Sequence, residues 1–162
     1  EQVVVSPDVG GVKRAQLFRE LLQRQSGVEL PMAFIEKRRA AGRVSGGTVV
    51  GEVRGRRALV LDDLCASGGT LIRAATALRA AGATDVTVIV THAPLAAGLR
   101  ALLQAEGIDR VVVTDSAGTH SGLSSDPRLT LLPVAPLFAQ VVRRLASQRS
   151  LTPLLERWPP VD

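Results

Sequence analysis

Short valine-rich runs alternate with amphipathic or alanine-rich stretches along the whole chain. Gln2–Ser6 is a β-branched run that ends in Ser6-Pro7-Asp8 and Gly10-Gly11. The spacing of Ala15, Leu17, Phe18, Leu21 and Leu22 then predicts a helix to about Gln25. Pro31–Glu36 predicts a second strand. Lys37–Gly47 is polar, rich in glycine and arginine and without periodicity, so it reads as a mobile loop. Thr48–Val53 and Arg57–Leu61 flank Gly55 and read as two short strands joined by a turn. A loop over Asp63–Gly69 leads into a helix over Thr70–Ala81, followed by a buried strand over Val86–Val90 and a helix over Leu95–Glu106. Arg110–Thr114 predicts a strand, Leu129–Pro133 an edge strand, and Ala135–Gln148 a last long helix before a tail with Pro153, Pro159 and Pro160.

Strands alternating with helices in this way predict an α/β fold, a mostly parallel sheet flanked by helices on both faces. The 162 residues suffice for one core, read as a domain over 1–148 and a tail over 149–162. The chain begins Glu1-Gln2 without a methionine, one residue from a strand, and is therefore expected to be part of a longer chain.

Composition narrows the function. With 46% hydrophobic and 22% charged residues the chain is globular, and its apolar runs are too short for a membrane span or a signal peptide. The single cysteine, Cys65, excludes a disulfide framework and a multi-cysteine metal cluster and fits a cytoplasmic location. The net charge of +5 comes from scattered residues, and only Phe18, Phe34, Phe138 and Trp158 could stack on bases. The reading is therefore no nucleic-acid partner but a small phosphorylated ligand, which uses the same positive field. Only Lys13 and Lys37 are lysines, which makes each less ordinary than an arginine.

In open α/β sheets ligands bind beyond the carboxyl ends of the strands. There the sharpest signal is Leu59-Val60-Leu61-Asp62-Asp63 running into Ala66-Ser67-Gly68-Gly69-Thr70. Glycines let successive N–H groups face one concavity, and the start of a helix adds partial positive charge, so the turn suits a phosphate. Ser67 and Thr70 add hydroxyl donors. Adjacent acids repel phosphate but accept hydrogen bonds from ribose hydroxyls, so a sugar phosphate satisfies both halves. The structural alternative is a strand that ends on two acids, with Thr70 capping a helix. No lysine precedes Thr70, which excludes a Walker loop. Cys65 lacks an activating base and reads as a packing residue, while His92 and His120 read as hydrogen-bonded structural residues.

The segment from Asp62 to Thr70 resembles the 5-phosphoribosyl 1-diphosphate motif of phosphoribosyltransferases and ribose-phosphate diphosphokinases. Val3-Val4-Val5-Ser6-Pro7-Asp8-Val9-Gly10-Gly11-Val12-Lys13-Arg14-Ala15 is similar to the opening of the C-terminal half of the diphosphokinases, and Ile35-Glu36-Lys37-Arg38-Arg39 to their catalytic loop. Ile89–Gly98 with Thr91-His92, Val111–Asp115, and the ending Arg143-Arg144 with Ser150-Leu151 follow in the same order, so the resemblance covers essentially the whole chain. It implies a phosphoribosyltransferase-like fold and transfer of the diphosphoryl group of ATP to ribose 5-phosphate, for nucleotide biosynthesis. Asp62 and Asp63 would hold the ribose hydroxyls, and Ala66, Ser67, Gly68, Gly69 and Thr70 the 5-phosphate. Lys37 and Arg39 would be catalytic, reaching over the ATP phosphates, with Arg39 also near the ribose 5-phosphate. Asp8 would help to hold Mg2+, the implied cofactor. The implied partners are ribose 5-phosphate, ATP, further copies of the chain in a homo-oligomer and a complementing N-terminal half. Many synthetases have an acid where this chain has Ala66 and a threonine at Ser67; alanine there is familiar from purine phosphoribosyltransferases. A freestanding phosphoribosyltransferase, or a non-catalytic subunit that binds ribose phosphates, are the alternative readings.

Overall fold

A computed structural model describes residues 1–40, 43–118 and 122–156, without the side chains of 37–40, 43–46 and 156. His120, Trp158, Pro159 and Pro160 lie outside the described residues. Seven strands form one sheet: β1 (Gln2–Ser6), β2 (Met32–Ala40), β3 (Arg43–Val50), β4 (Arg57–Leu64), β5 (Asp85–His92), β6 (Arg110–Thr114) and β7 (Leu129–Leu132). Their order is β3-β2-β1-β4-β5-β6-β7, parallel throughout except for the β2–β3 pair. The helices are α1 (Val12–Ser26), α2 (Gly69–Ala80), α3 (Ala96–Gln104), α4 (Ala135–Ala146) and α5 (Thr152–Glu156). The expected α/β architecture is therefore present, with α5 inside the segment read as a tail.

The β1 side chains alternate between two cores because successive residues of a strand point to opposite faces. Val4 packs with Ala15, Leu30, Phe18 and Leu22, which places α1 on one face. Val3 and Val5 belong to the larger core with Leu71, Leu78, Leu99 and Leu102, which places α2 and α3 on the other. The direction in which successive strands are added reverses about β1, since β2 lies on one side of it and β4 on the other. The crevice between β1 and β4 is thus a topological switch point, where open α/β sheets bind ligands.

Three readings from the sequence change. Lys37–Gly47 is not a loop throughout: Lys37, Arg39 and Ala40 belong to β2 and pair antiparallel with Gly47, Val44 and Arg43 of β3. A hairpin at the sheet edge needs no apolar period, because at most one of its faces meets the core. The register shifts between Lys37 and Arg39, so the two are not simple neighbours on one face. The segments on either side of Gly55 do not pair with each other, because β3 closes the edge beside β2 while β4 enters the centre beside β1. Finally, β4 continues through Asp62, Asp63 and Leu64, since parallel pairing with β5 extends as far as Leu64 and His92.

Candidate functional site

The acid pair thus stands on the last turn of a central strand, held by ladder bonds, rather than in a free loop. Asp62 is 20% exposed and Asp63 56% at the side chain. From the third residue of α1, on the far side of the switch point, Arg14 donates to both. Its Nη1 lies 3.0 Å from Asp62 Oδ1 and its Nη2 2.7 Å from Asp63 Oδ2. One planar guanidinium therefore sets the spacing of two carboxylates and offsets their mutual repulsion. The Asp63 N–H also donates to Asp62 Oδ1, at 2.9 Å. Burial pushes the Asp62 carboxyl above its ordinary value and Asp63 adds to the rise, while that backbone bond and Arg14 pull it down.

Beyond Leu64 the chain turns beneath a concavity of about 130 Å³, lined by Asp62 and the run from Leu64 to Leu71. Asp62 and the five residues Ala66–Thr70 are thus brought together as the sequence predicts. Cys65 anchors the start of the turn, its N–H donating to the His92 carbonyl at 2.8 Å. Gly68 caps α2 with φ +78°, a left-handed conformation that disfavours side chains, and no side chain caps the helix. The alternative in which Thr70 caps it is therefore excluded. Within the turn the Gly69 N–H meets only the distant Ser67 Oγ, at 3.5 Å. The Thr70 Oγ1 accepts from Arg73 Nη2 at 3.3 Å, which leaves its own O–H to donate and brings a cation to the rim. A concavity with backbone N–H donors, two hydroxyls and a guanidinium suits an anion.

The preceding junction holds Asp8. Its Oδ1 accepts the Gly11 N–H at 3.1 Å, while the buried Ser6 hydroxyl donates to the Asp8 carbonyl at 2.6 Å. Among the described residues no three of His, Cys, Asp and Glu gather as a metal cage. A single carboxylate still fits magnesium that is held mainly by phosphate oxygens and water. Lys37 and Arg39 have their backbones in β2, and their side chains lie outside the described residues.

His92 Nδ1 sits 2.7 Å from Ser116 Oγ, in keeping with a hydrogen-bonded structural residue. Burial raises the Cys65 thiol above its ordinary value, opposite to what a nucleophile needs. Sequence reasoning missed Arg14 and Arg73. Arg14 stood inside a quoted motif without a role, and Arg73 follows Thr70 by three residues, a spacing at which helical side chains meet.

Fold and site together define a doubly wound α/β protein with an arginine-fixed acid pair and an anion-ready turn at the switch point. A family model described as phosphoribosyl synthetase-associated domain matches residues 23–156, and the chain belongs to that family. It is 38% identical over 156 residues to a ribose-phosphate pyrophosphokinase of Hyphomonas neptunium, covering 96% of this chain and 48% of the relative. It is likewise 38% identical to that of Maricaulis maris, over 155 residues, 95% of this chain and 48% of the relative. The fold resembles the crystal structure of phosphoribosylpyrophosphate synthetase from Mycobacterium smegmatis, with a TM-score of 0.73 and 34% identity over 91% of this chain and 45% of that one. The chain spans about half the length of the curated relatives it matches. Among the described residues no helix is long and apolar enough to cross a membrane.

Proposed function

We propose that this chain is the ribose-phosphate-binding half of a ribose-phosphate diphosphokinase. In the proposed reaction the anomeric hydroxyl oxygen of ribose 5-phosphate attacks the β-phosphorus of ATP. The bond from that phosphorus to the α,β-bridging oxygen breaks, AMP leaves, and the hydroxyl proton is lost. The observation that carries the proposal is one strand-to-helix junction with two preset acceptors at the end of β4 and an uncapped, glycine-bearing helix start directly after them.

Asp62 and Asp63 accept the ribose hydroxyls, and Arg14 holds both carboxylates in place. Ser67, Gly68, Gly69 and Thr70 hold the 5-phosphate by N–H and O–H donors, Ala66 shapes the turn, and Arg73 adds charge at its rim. Lys37 and Arg39, on the edge hairpin, supply cations for the phosphates of ATP. Phosphoryl transfer needs chiefly positioning and cations where charge develops, which is why lysine and arginine suit this role. Asp8 contributes one carboxylate towards Mg2+, which neutralises phosphate charge when bound. A complementing half and self-association belong to the same proposal.

The test is calorimetric titration of ribose 5-phosphate into the chain with and without magnesium, alongside the Asp62→Asn/Asp63→Asn double variant. Saturable binding that the double variant loses is expected; binding unchanged in the double variant would refute the site. An assay of ATP conversion to AMP then separates an active chain from one that binds without turnover.

A further inference from the structure

Gly98, the third residue of α3, is buried and lies far in sequence from the phosphate turn. A Cβ at Gly98 would stand 2.2 Å from the Ala66 carbonyl oxygen, 2.9 Å from its carbon and 3.3 Å from the Cys65 carbonyl oxygen. All three are backbone atoms, which cannot swing aside as a flexible side chain can. The approach is mutual: a Cβ at Gly68 would stand 3.0 Å from the Gly98 carbonyl oxygen and 3.2 Å from Leu102 Cδ2. Helix α3 and the turn therefore meet backbone to backbone. Within the turn itself the Gly68 N–H meets the buried Cys65 side chain, which ties the turn to its own start but not to α3. The first residue of the turn bonds to β5, through the Cys65 N–H and the His92 carbonyl, and no side chain caps α2 beyond it.

We infer that Gly98 is a positioning residue for the phosphate subsite: by admitting the Ala66 carbonyl against α3 it sets where the following N–H groups stand. The inference rests on reading the turn as a phosphate site. Gly98 touches no ligand and acts only through the turn. An alanine there must push Ala66 outward and rotate the peptide units after it. Gly107, just beyond the same helix, is the matched control, because a Cβ there would make only ordinary contacts of 3.7 Å or more.

Three proteins test this: the wild type, Gly98→Ala and Gly107→Ala. Each is titrated with ribose 5-phosphate, unfolded by heat, and read for the amide resonances of Ser67, Gly68 and Gly69. Misplacement of a binding group by a fraction of an ångström predicts binding about tenfold weaker or worse in Gly98→Ala, with amide shifts centred on the turn. Gly107→Ala is expected to bind as the wild type does. A folded Gly98→Ala that binds like the wild type overturns the inference. If Gly98→Ala fails to fold, Leu102→Val shortens by one methylene the α3 side chain packed beneath Gly68 and so alters the same contact between α3 and the turn: weaker binding by a folded protein supports the inference and unchanged binding overturns it. If the wild type binds no ribose 5-phosphate, the phosphate-site reading has failed, and the amide shifts decide the positioning role alone: shifts confined to the turn sustain it, and their absence ends it.

Discussion

Two strand-to-helix junctions stand side by side at the switch point, and both contain an acid and a glycine pair. At the β1–α1 junction the chain brings its own anion: the Asp8 carboxylate accepts the Gly11 N–H across the 3-10 turn Val9–Gly11 and the Ser6 hydroxyl donates to the Asp8 carbonyl, although α1 itself, like α2, has no side-chain cap. At the β4–α2 junction the acids stay on the strand, with Asp62 at the border of the concavity, and no carboxylate bonds to the N–H groups of the helix start. A glycine pair after a strand is thus not in itself an anion site. What decides is whether the chain brings its own anion to the amides. The first junction, closed in this way, sends a cation across instead: Arg14, which ties both acids of the second.

The comparison breaks most sharply if the second junction is made to resemble the first. Ser67→Asp places a carboxylate beside the Gly69 N–H, where Ser67 Oγ already points. Loss of charge-assisted bonds to the 5-phosphate should then cost about 3 kcal/mol of binding, while the fold keeps or gains stability from the new cap. Calorimetry and thermal unfolding read the two effects separately, and undiminished affinity would disprove the account of the turn.

Removing the link between the junctions comes next. Arg14→Met should weaken ribose 5-phosphate binding by about 2 kcal/mol. It should also alter the dependence on pH. Burial raises the Asp62 pKa most; of the groups facing it, the Asp63 backbone N–H lowers it, the Asp63 carboxylate raises it and Arg14 lowers it. In the proposed site Asp62 accepts from ribose hydroxyls best when ionised, so affinity is expected to fall as pH drops through its raised folded pKa. Without Arg14 that pKa rises again, and the fall should begin at a higher pH than in the wild type. Because the ligand's own titration is common to both proteins, an unmoved midpoint would count against Arg14. The smallest effect belongs to Asp8→Ala, which strips the first junction of its cap and should cost about 1 kcal/mol of stability in denaturant unfolding.

The sequence revealed best what is local. Valine runs marked β1, β5 and β6 closely, because strands covered on both faces read as unbroken apolar segments. The concave turn proposed for the phosphate was legible as a feature because its glycines, hydroxyls and acids are contiguous. The edge hairpin was not, since Lys37–Gly47 is polar and owes its strand geometry to pairing rather than to a buried face. The bonds of Arg14 to Asp62 and Asp63 join residues far apart in the chain, and only the order of the strands brings α1 beside the end of β4. Gly98 ended a segment that carried the family resemblance, yet it received no role for the same reason. Its meaning is a distance to Ala66, and glycine within an amphipathic helix carries no such label. The apolar spacing of α4 was read correctly as a helix, yet none of its residues is buried: periodicity tells that a helix has an apolar face, not what covers it.

The place of β1 governs how the molecule assembles. Val3, Val4 and Val5 are fully buried, and β1 precedes in the chain both strands that hydrogen-bond its edges, β2 and then β4. Until Arg57–Leu64 has been synthesised and has folded back in parallel, one edge of the future centre of the sheet stands open. Parallel pairing across such loops is slow compared with local helical folding, and the open edge is a template for wrong partners. Capture of β1 by β4 is therefore the pairing that closes this open edge, and it waits on the whole segment between the two strands.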